Sequence, residues 1–115
     1  MTPDTYNFPD HYEGDNWGPW TITITDDDTE TPIDITGAVI TMTLRRIGST
    51  GAVIDTKTVA NGLTLTDAAN GEFEIDEYVV DYDHGWYKYD ITVSISGKPV
   101  TYLAGTWKII KKIAA

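Results

Sequence analysis

The chain has 115 residues, 41% of them hydrophobic and 11% aromatic, with no cysteine and a formal net charge of −10 at pH 7. That length suits a single domain burying roughly two thirds of the surface its unfolded chain exposes, and the composition is globular rather than disordered. Without cysteine there are no disulfides and no thiolate metal sites, and so acidic a domain repels phosphate backbones, which argues against nucleic acid as a partner.

In chain order, Met1-Thr2-Pro3-Asp4 lacks the basic and apolar regions of a signal peptide, and no later segment approaches membrane-spanning length, so neither Sec export nor a membrane partner is expected. Residues 1–18 show no periodicity. Pro3, Pro9, Gly14 and Gly18 argue against regular structure, yet Tyr6, Phe8, Tyr12 and Trp17 are unfavourable to leave in water. The segment reads as an irregular aromatic arm that packs across its own domain or docks on another subunit. From Trp20 onward, residues 19–115 read as one domain of strands. Trp20, Ile22 and Ile24 alternate with threonines, as do Ala38, Ile40, Met42 and Leu44 with their neighbours. A third strand is expected over 52–59 after the turn Gly48-Ser49-Thr50-Gly51, a short one at Leu63-Thr64-Leu65 between two Asn-Gly pairs, and another at Glu72–Asp76. A long strand places Tyr87, Tyr89, Ile91, Val93 and Ile95 on one face. A Gly97-Lys98-Pro99 turn then leads to a last strand with a bulge at Ala104-Gly105. About seven strands at regular turn spacing, with no amphipathic helix, predict an all-β fold: an immunoglobulin-like antiparallel two-sheet sandwich.

Asp83-His84-Gly85-Trp86-Tyr87-Lys88-Tyr89 resembles the corner of immunoglobulin-like sandwiches, with Tyr89 where the cysteine would stand. Gly85 permits a sharp turn, Tyr87 points inward with its hydroxyl in reach of backbone, and His84 becomes an exposed turn residue rather than a base or ligand. Signals for chemistry are sparse. Two histidines and no cysteine cannot build a His/Cys zinc site in one chain, no serine sits in a G-x-S-x-G elbow, and no glycine-rich loop leads into a helix. No cofactor and no catalytic residue is assigned. Asp26, Asp28 and Glu30 in the acidic run 26–30 are weak calcium candidates against the plainer reading of a charged hairpin turn, since an EF-hand would need glycine and glutamate where Thr31 and Gly37 stand. Trp20 and Trp107 alternate with the core. Trp86 is out of phase with it and faces outward, to meet a partner, the arm or a sugar.

A wider likeness runs over residues 14–107. Gly14-Asp15-x-Trp17 precedes the first strand, Pro32-Ile33-Asp34-Ile35-Thr36-Gly37-Ala38 leads into the second, and Arg45 or Arg46 closes that strand. Gly71, Gly85-x-Tyr87-x-Tyr89-Asp90 and Gly105 follow. This pattern resembles small β-sandwich modules of tailed bacteriophages, including the N-terminal domain of upper baseplate proteins and tail-fibre or tail-attachment sandwiches. The resemblance implies a non-enzymatic virion structural protein, made in the host bacterial cytoplasm. It would serve as an assembly or adaptor module of the tail, baseplate or fibre-attachment region, with other virion proteins as partners and a homo-oligomeric or ring-like arrangement. On that reading Tyr6, Phe8, Tyr12 and Trp86 are the expected interface residues, followed by Lys108, Lys111 and Lys112, which would meet an acidic neighbour. The alternative from another class is a carbohydrate- or calcium-dependent binding module, with Trp17 or Trp86 stacking on sugar.

Overall fold

The computed structural model describes residues 4–26, 29–48 and 53–111. In chain order the strands are β1 (Asp4–Thr5), β2 (His11–Tyr12), β3 (Asn16–Trp17), β4 (Trp20–Thr23), β5 (Val39–Arg46), β6 (Val53–Val59), β7 (Gly62–Asp67), β8 (Glu72–Ile75), β9 (Tyr78–Val79), β10 (Gly85–Ile95) and β11 (Lys98–Ile110). The fold is all-β, and its only helical element among the described residues is a 3-10 turn at Ala68–Asn70. A large sheet runs β1-β11-β10-β5-β6-β7-β8-β4, with β2 also on β11, while β3 and β9 form a separate ladder. The expected strands between residues 20 and 110 are present. The turn expected at 48–51 falls mostly outside the described residues.

The sheet curls upon itself. β5, β10 and β11 form long antiparallel ladders with β6 at their edge, and β7, β8 and β4 form a second antiparallel group. The two groups join through a parallel step of two residue pairs, Thr58↔Gly62 and Val59↔Leu63. There Ala60 and Gly62 take positive φ, so the chain bends out of one layer into the other instead of closing a hairpin. Inward side chains of both groups meet in one core that includes Ile40, Met42, Leu44, Leu63, Phe73, Ile75, Ile91 and Trp107. At the far end of the curl, β4 faces Thr5, Tyr6 and Leu103 across a groove of about 570 Å³.

Two local expectations are corrected. The hairpin between β10 and β11 turns on Ser96 and Gly97, both at positive φ, and Lys98 and Pro99 already belong to the strand; a two-residue turn with this handedness matches the strand twist. The bulge in β11 lies at Tyr102, where Ile91 pairs with Leu103 and Thr92 with Thr101, not at Ala104-Gly105. Gly105 has another task. A Cβ there would lie 1.9 Å from the carbonyl oxygen of Tyr6, because residues 4–8 run directly against β11.

That contact revises the picture of the N-terminal arm. It is not irregular throughout. β1 and β2 pair in parallel with β11, and the amides of Tyr6, Phe8 and Glu13 donate to the carbonyls of Ala104, Thr106 and Ile110. Asn7 Oδ1 accepts from both the amide and the hydroxyl of Thr106. Backbone pairing of this kind leaves no side-chain period in so short a segment, so the sequence pattern does not reveal it.

Candidate functional site

Phe8 is 4% exposed and lies in the core. Its ring stacks on Tyr89 at 4.4 Å and meets Trp17 and Trp107 edge-on at 4.9 and 5.6 Å. Tyr89 holds the arm in place: its ring backs Phe8, and its hydroxyl donates to the Tyr6 carbonyl at 2.6 Å. The burial that this requires raises the Tyr89 phenol well above its ordinary pKa. Phe8 is therefore withdrawn from the set of surface residues expected to meet a partner. Trp17 is equally buried, packed 4.4 Å from Trp107, and offers no face to a sugar.

The corner at 83–89 is scaffold. The Tyr87 hydroxyl donates to the Asp83 carbonyl at 2.5 Å, and Arg46 donates to the His84 carbonyl at 2.9 Å while its other nitrogen stands 3.8 Å from the Asp83 carboxylate. His84 itself is exposed and faces Glu13 at 3.9 Å. Asp34 likewise holds a turn: its carboxylate accepts hydrogen bonds from the Thr36 hydroxyl and amide, which lower its pKa.

A polar cluster that the sequence pattern concealed lies at the edge of the core. Asp55 and Lys57 stand opposite the buried Leu44 and Met42, so both point inward. Lys57 Nζ is 3.4 Å from Asp55 and sits 3.5 Å above the Tyr78 ring, a cation–π contact. Tyr82 donates to Asp55 at 2.5 Å, and the Tyr78 and Tyr82 hydroxyls are 3.0 Å apart. Burial pushes the Tyr78 phenol up to about 12, and burial together with the bond to Asp55 raises Tyr82 further. Both phenols are thus neutral near pH 7, and the charges are matched internally. The cluster ties β6 to the Tyr78–Tyr82 segment. A cleft of about 520 Å³ beside it is lined by Arg46, Ile54, Val79 and Tyr87 among others. The signal in the sequence was a pair of opposite charges two residues apart in a strand, which ordinarily reads as a wet face.

A further exposed surface lies on the outer side of β5, β10 and β11. Trp86 is 51% exposed and stands opposite Lys108, whose Nζ is 5.5 Å from the indole centroid. Lys88 follows Trp86 on that face, directly opposite Arg45, and Arg45 is opposite Val53. Ile47, whose amide donates to the Trp86 carbonyl, is also exposed. Of the other expected contact residues, Tyr6 and Tyr12 are exposed at 42% and 47%, and Lys111 is exposed, while Lys112 lies outside the described residues. Tyr6 leans on Phe8 and Trp20, with ring centroids 5.6 and 6.2 Å away.

The acidic loop gives no assembled cation site among the described residues, where no group of three or more potential ligands converges. Asp26 serves the turn: its amide donates to Thr31, its carbonyl accepts from Glu30 and its carboxylate accepts from the Thr29 amide. Asp28 lies outside the described residues. Among the described residues, no helix is long and apolar enough to cross a membrane. No protein-family model and no curated protein sequence matches the chain.

Proposed function

We propose that this chain is a non-enzymatic structural component of a tailed-bacteriophage particle, an assembly or adaptor module of the tail, baseplate or fibre-attachment region. It is made in the host cytoplasm and works by contact with other particle proteins and with its own copies. The observation that carries the reading is the half-exposed Trp86 on the outer sheet face with Ile47, Val53 and flanking cations. Aromatic and aliphatic side chains held on rigid strands are the usual anchors of protein interfaces. The sequence likeness over residues 14–107 supplies the particle context. The same reading takes the curled sheet as an immunoglobulin-like sandwich whose layers are β11-β10-β5-β6 and β7-β8-β4, with the Tyr87 corner as its shared feature and an individual strand order. Of the two rings named for the rival sugar-binding reading, Trp17 is buried and Trp86 is exposed, and of the calcium candidates Asp26 holds a turn.

The test is quantitative mass spectrometry of particles purified on a density gradient from a lysed, infected culture. The chain is expected in a fixed copy ratio to the major capsid protein. Its absence from the particles contradicts the proposal.

A further inference from the structure

The curled sheet does not close. Its two terminal strands, β4 and β1, face each other across the groove of about 570 Å³, and neither has a second ladder partner among the described residues. The Ile24 amide donates to the Gly71 carbonyl in continuation of the β4–β8 ladder. Backbone groups alternate along a strand, so those of Trp20 and Ile22 also point to β8, and those of Thr21 and Thr23 point to the groove. On the other wall the Tyr6 amide donates to Ala104 of β11, so the preceding Thr5 turns its N–H and C=O away from that strand. Among the described residues these groups of Thr5, Thr21 and Thr23 have no backbone partner. The half-buried Trp20, Ile22 and Leu103, with Tyr6 against Trp20, give the groove an apolar lining, and none of the described residues lining it is charged. A sheet edge is ordinarily blunted by charge, proline or a bulge, and Trp20–Thr23 carries none of these.

From these two facing edges we infer that the groove is a β-augmentation site, which takes an extended segment of another protein as an added strand between β4 and β1. The site is separate from the Trp86 face and does not depend on the particle reading. Followed through the ladders, β4 and β1 run in opposite directions. A segment between them is therefore antiparallel to one wall and parallel to the other. Running antiparallel to β4, it exchanges bonds with both Thr21 and Thr23, the longer of the two edges. It must be free along both its own edges, because β4 takes one and β1 the other. A second copy cannot supply its own β4 for this, since one side of that strand is already bonded to β8. The occupant is an extended terminus or linker of a partner protein. An uncharged groove in a chain of net charge −10 selects a segment with apolar side chains at the alternate positions that face it, and no charge there. Main-chain bonds supply affinity, and the apolar positions supply selectivity.

Nuclear magnetic resonance on the full chain tests this, with a capped peptide of about six alternating valine and threonine residues, a usual strand length, as the probe. At about 1 mM peptide, shift changes should centre on the residues that line the groove. Exchange of the Thr21 and Thr23 amides should slow with saturation, by about twofold when half the chains are bound. The Ile22 amide, bonded to β8, should be protected with or without peptide. The same peptide N-methylated at every second residue, in either phase, should not bind, and nor should one with lysine in place of valine. Thr21→Pro removes a groove-facing N–H and spares the β8 ladder, so it should abolish binding with an unchanged circular dichroism spectrum. The N-methylated peptides keep the test independent of how that variant folds. No shift changes at that concentration, changes centred elsewhere, or equal binding of the N-methylated peptides would overturn the site. So would Thr21 and Thr23 amides already protected in the free chain, which would mean that the chain covers this edge itself. Protection that grows with chain concentration alone would give the groove to a second copy and overturn the assignment to a partner.

Discussion

Gly105 shows how much one missing side chain decides. Its backbone is ordinary β conformation, so flexibility is not the reason for glycine there; the reason is the Tyr6 carbonyl, 1.9 Å from where a Cβ would be. Gly105→Ala should therefore lift residues 4–8 from β11 and destabilise the fold by at least about 2 kcal/mol, because backbone on both sides must move. Urea denaturation gives the loss, and an unchanged midpoint would refute the close approach. Glycine at this position is legible in the sequence as special, but a bulge and a backbone contact leave the same one-letter trace. Tyr87 is more legible, since Gly85 and the inward phase of Tyr87 together define a corner. Asp55 and Lys57 are not, because inward charges paired under tyrosines alternate in the same way as outward charges in water.

At the scale of elements, the arm is part of the sheet. Phe8 and Trp17 supply two walls of the aromatic nest around Trp107, so removing residues 1–18 would open the core as well as expose an edge. Phe8→Ala should lower stability by about 3–5 kcal/mol, the range for deleting a buried aromatic ring. Hydrogen exchange offers a finer check. The amides of Tyr6 and Phe8 donate to β11 and should be protected, whereas the intervening Asn7 amide should exchange faster. Uniformly fast exchange from Tyr6 to Phe8 would mean that the arm is not held. The long strands were readable because apolar and polar residues alternate over many positions with turn residues between them. β1, β2, β3 and β9 have two residues each, too few for a period, and their pairing is carried by backbone.

At the scale of the molecule, the tyrosines tie stability to pH. Tyr78 has its pKa raised from 10.0 to about 12, and Tyr82 and Tyr89 are raised as well, chiefly by burial. Above pH 10 the unfolded chain loses phenolic protons that the folded chain retains, so stability is intact below that pH and declines as pH rises through the folded values. Tyr78 alone contributes a slope of up to about 1.4 kcal/mol per pH unit, and the other two steepen it. Alkaline titration should show these phenols ionising together with loss of the circular dichroism signal; smooth ionisation near pH 10 in a folded chain would contradict their burial. Tyr78, Tyr82, Asp55 and Lys57 are thus closed upon one another. The most direct measurement of the proposed particle role is complementation: the phage that the proposal requires, deleted for this gene, is grown in cells expressing either the wild-type chain or Trp86→Ser with Ile47→Ser, and purified particles are assayed for the protein. The account predicts that the wild-type chain is incorporated and that the variant, with unchanged thermal stability, is excluded. Equal incorporation of both, or the absence of both from particles, would contradict it.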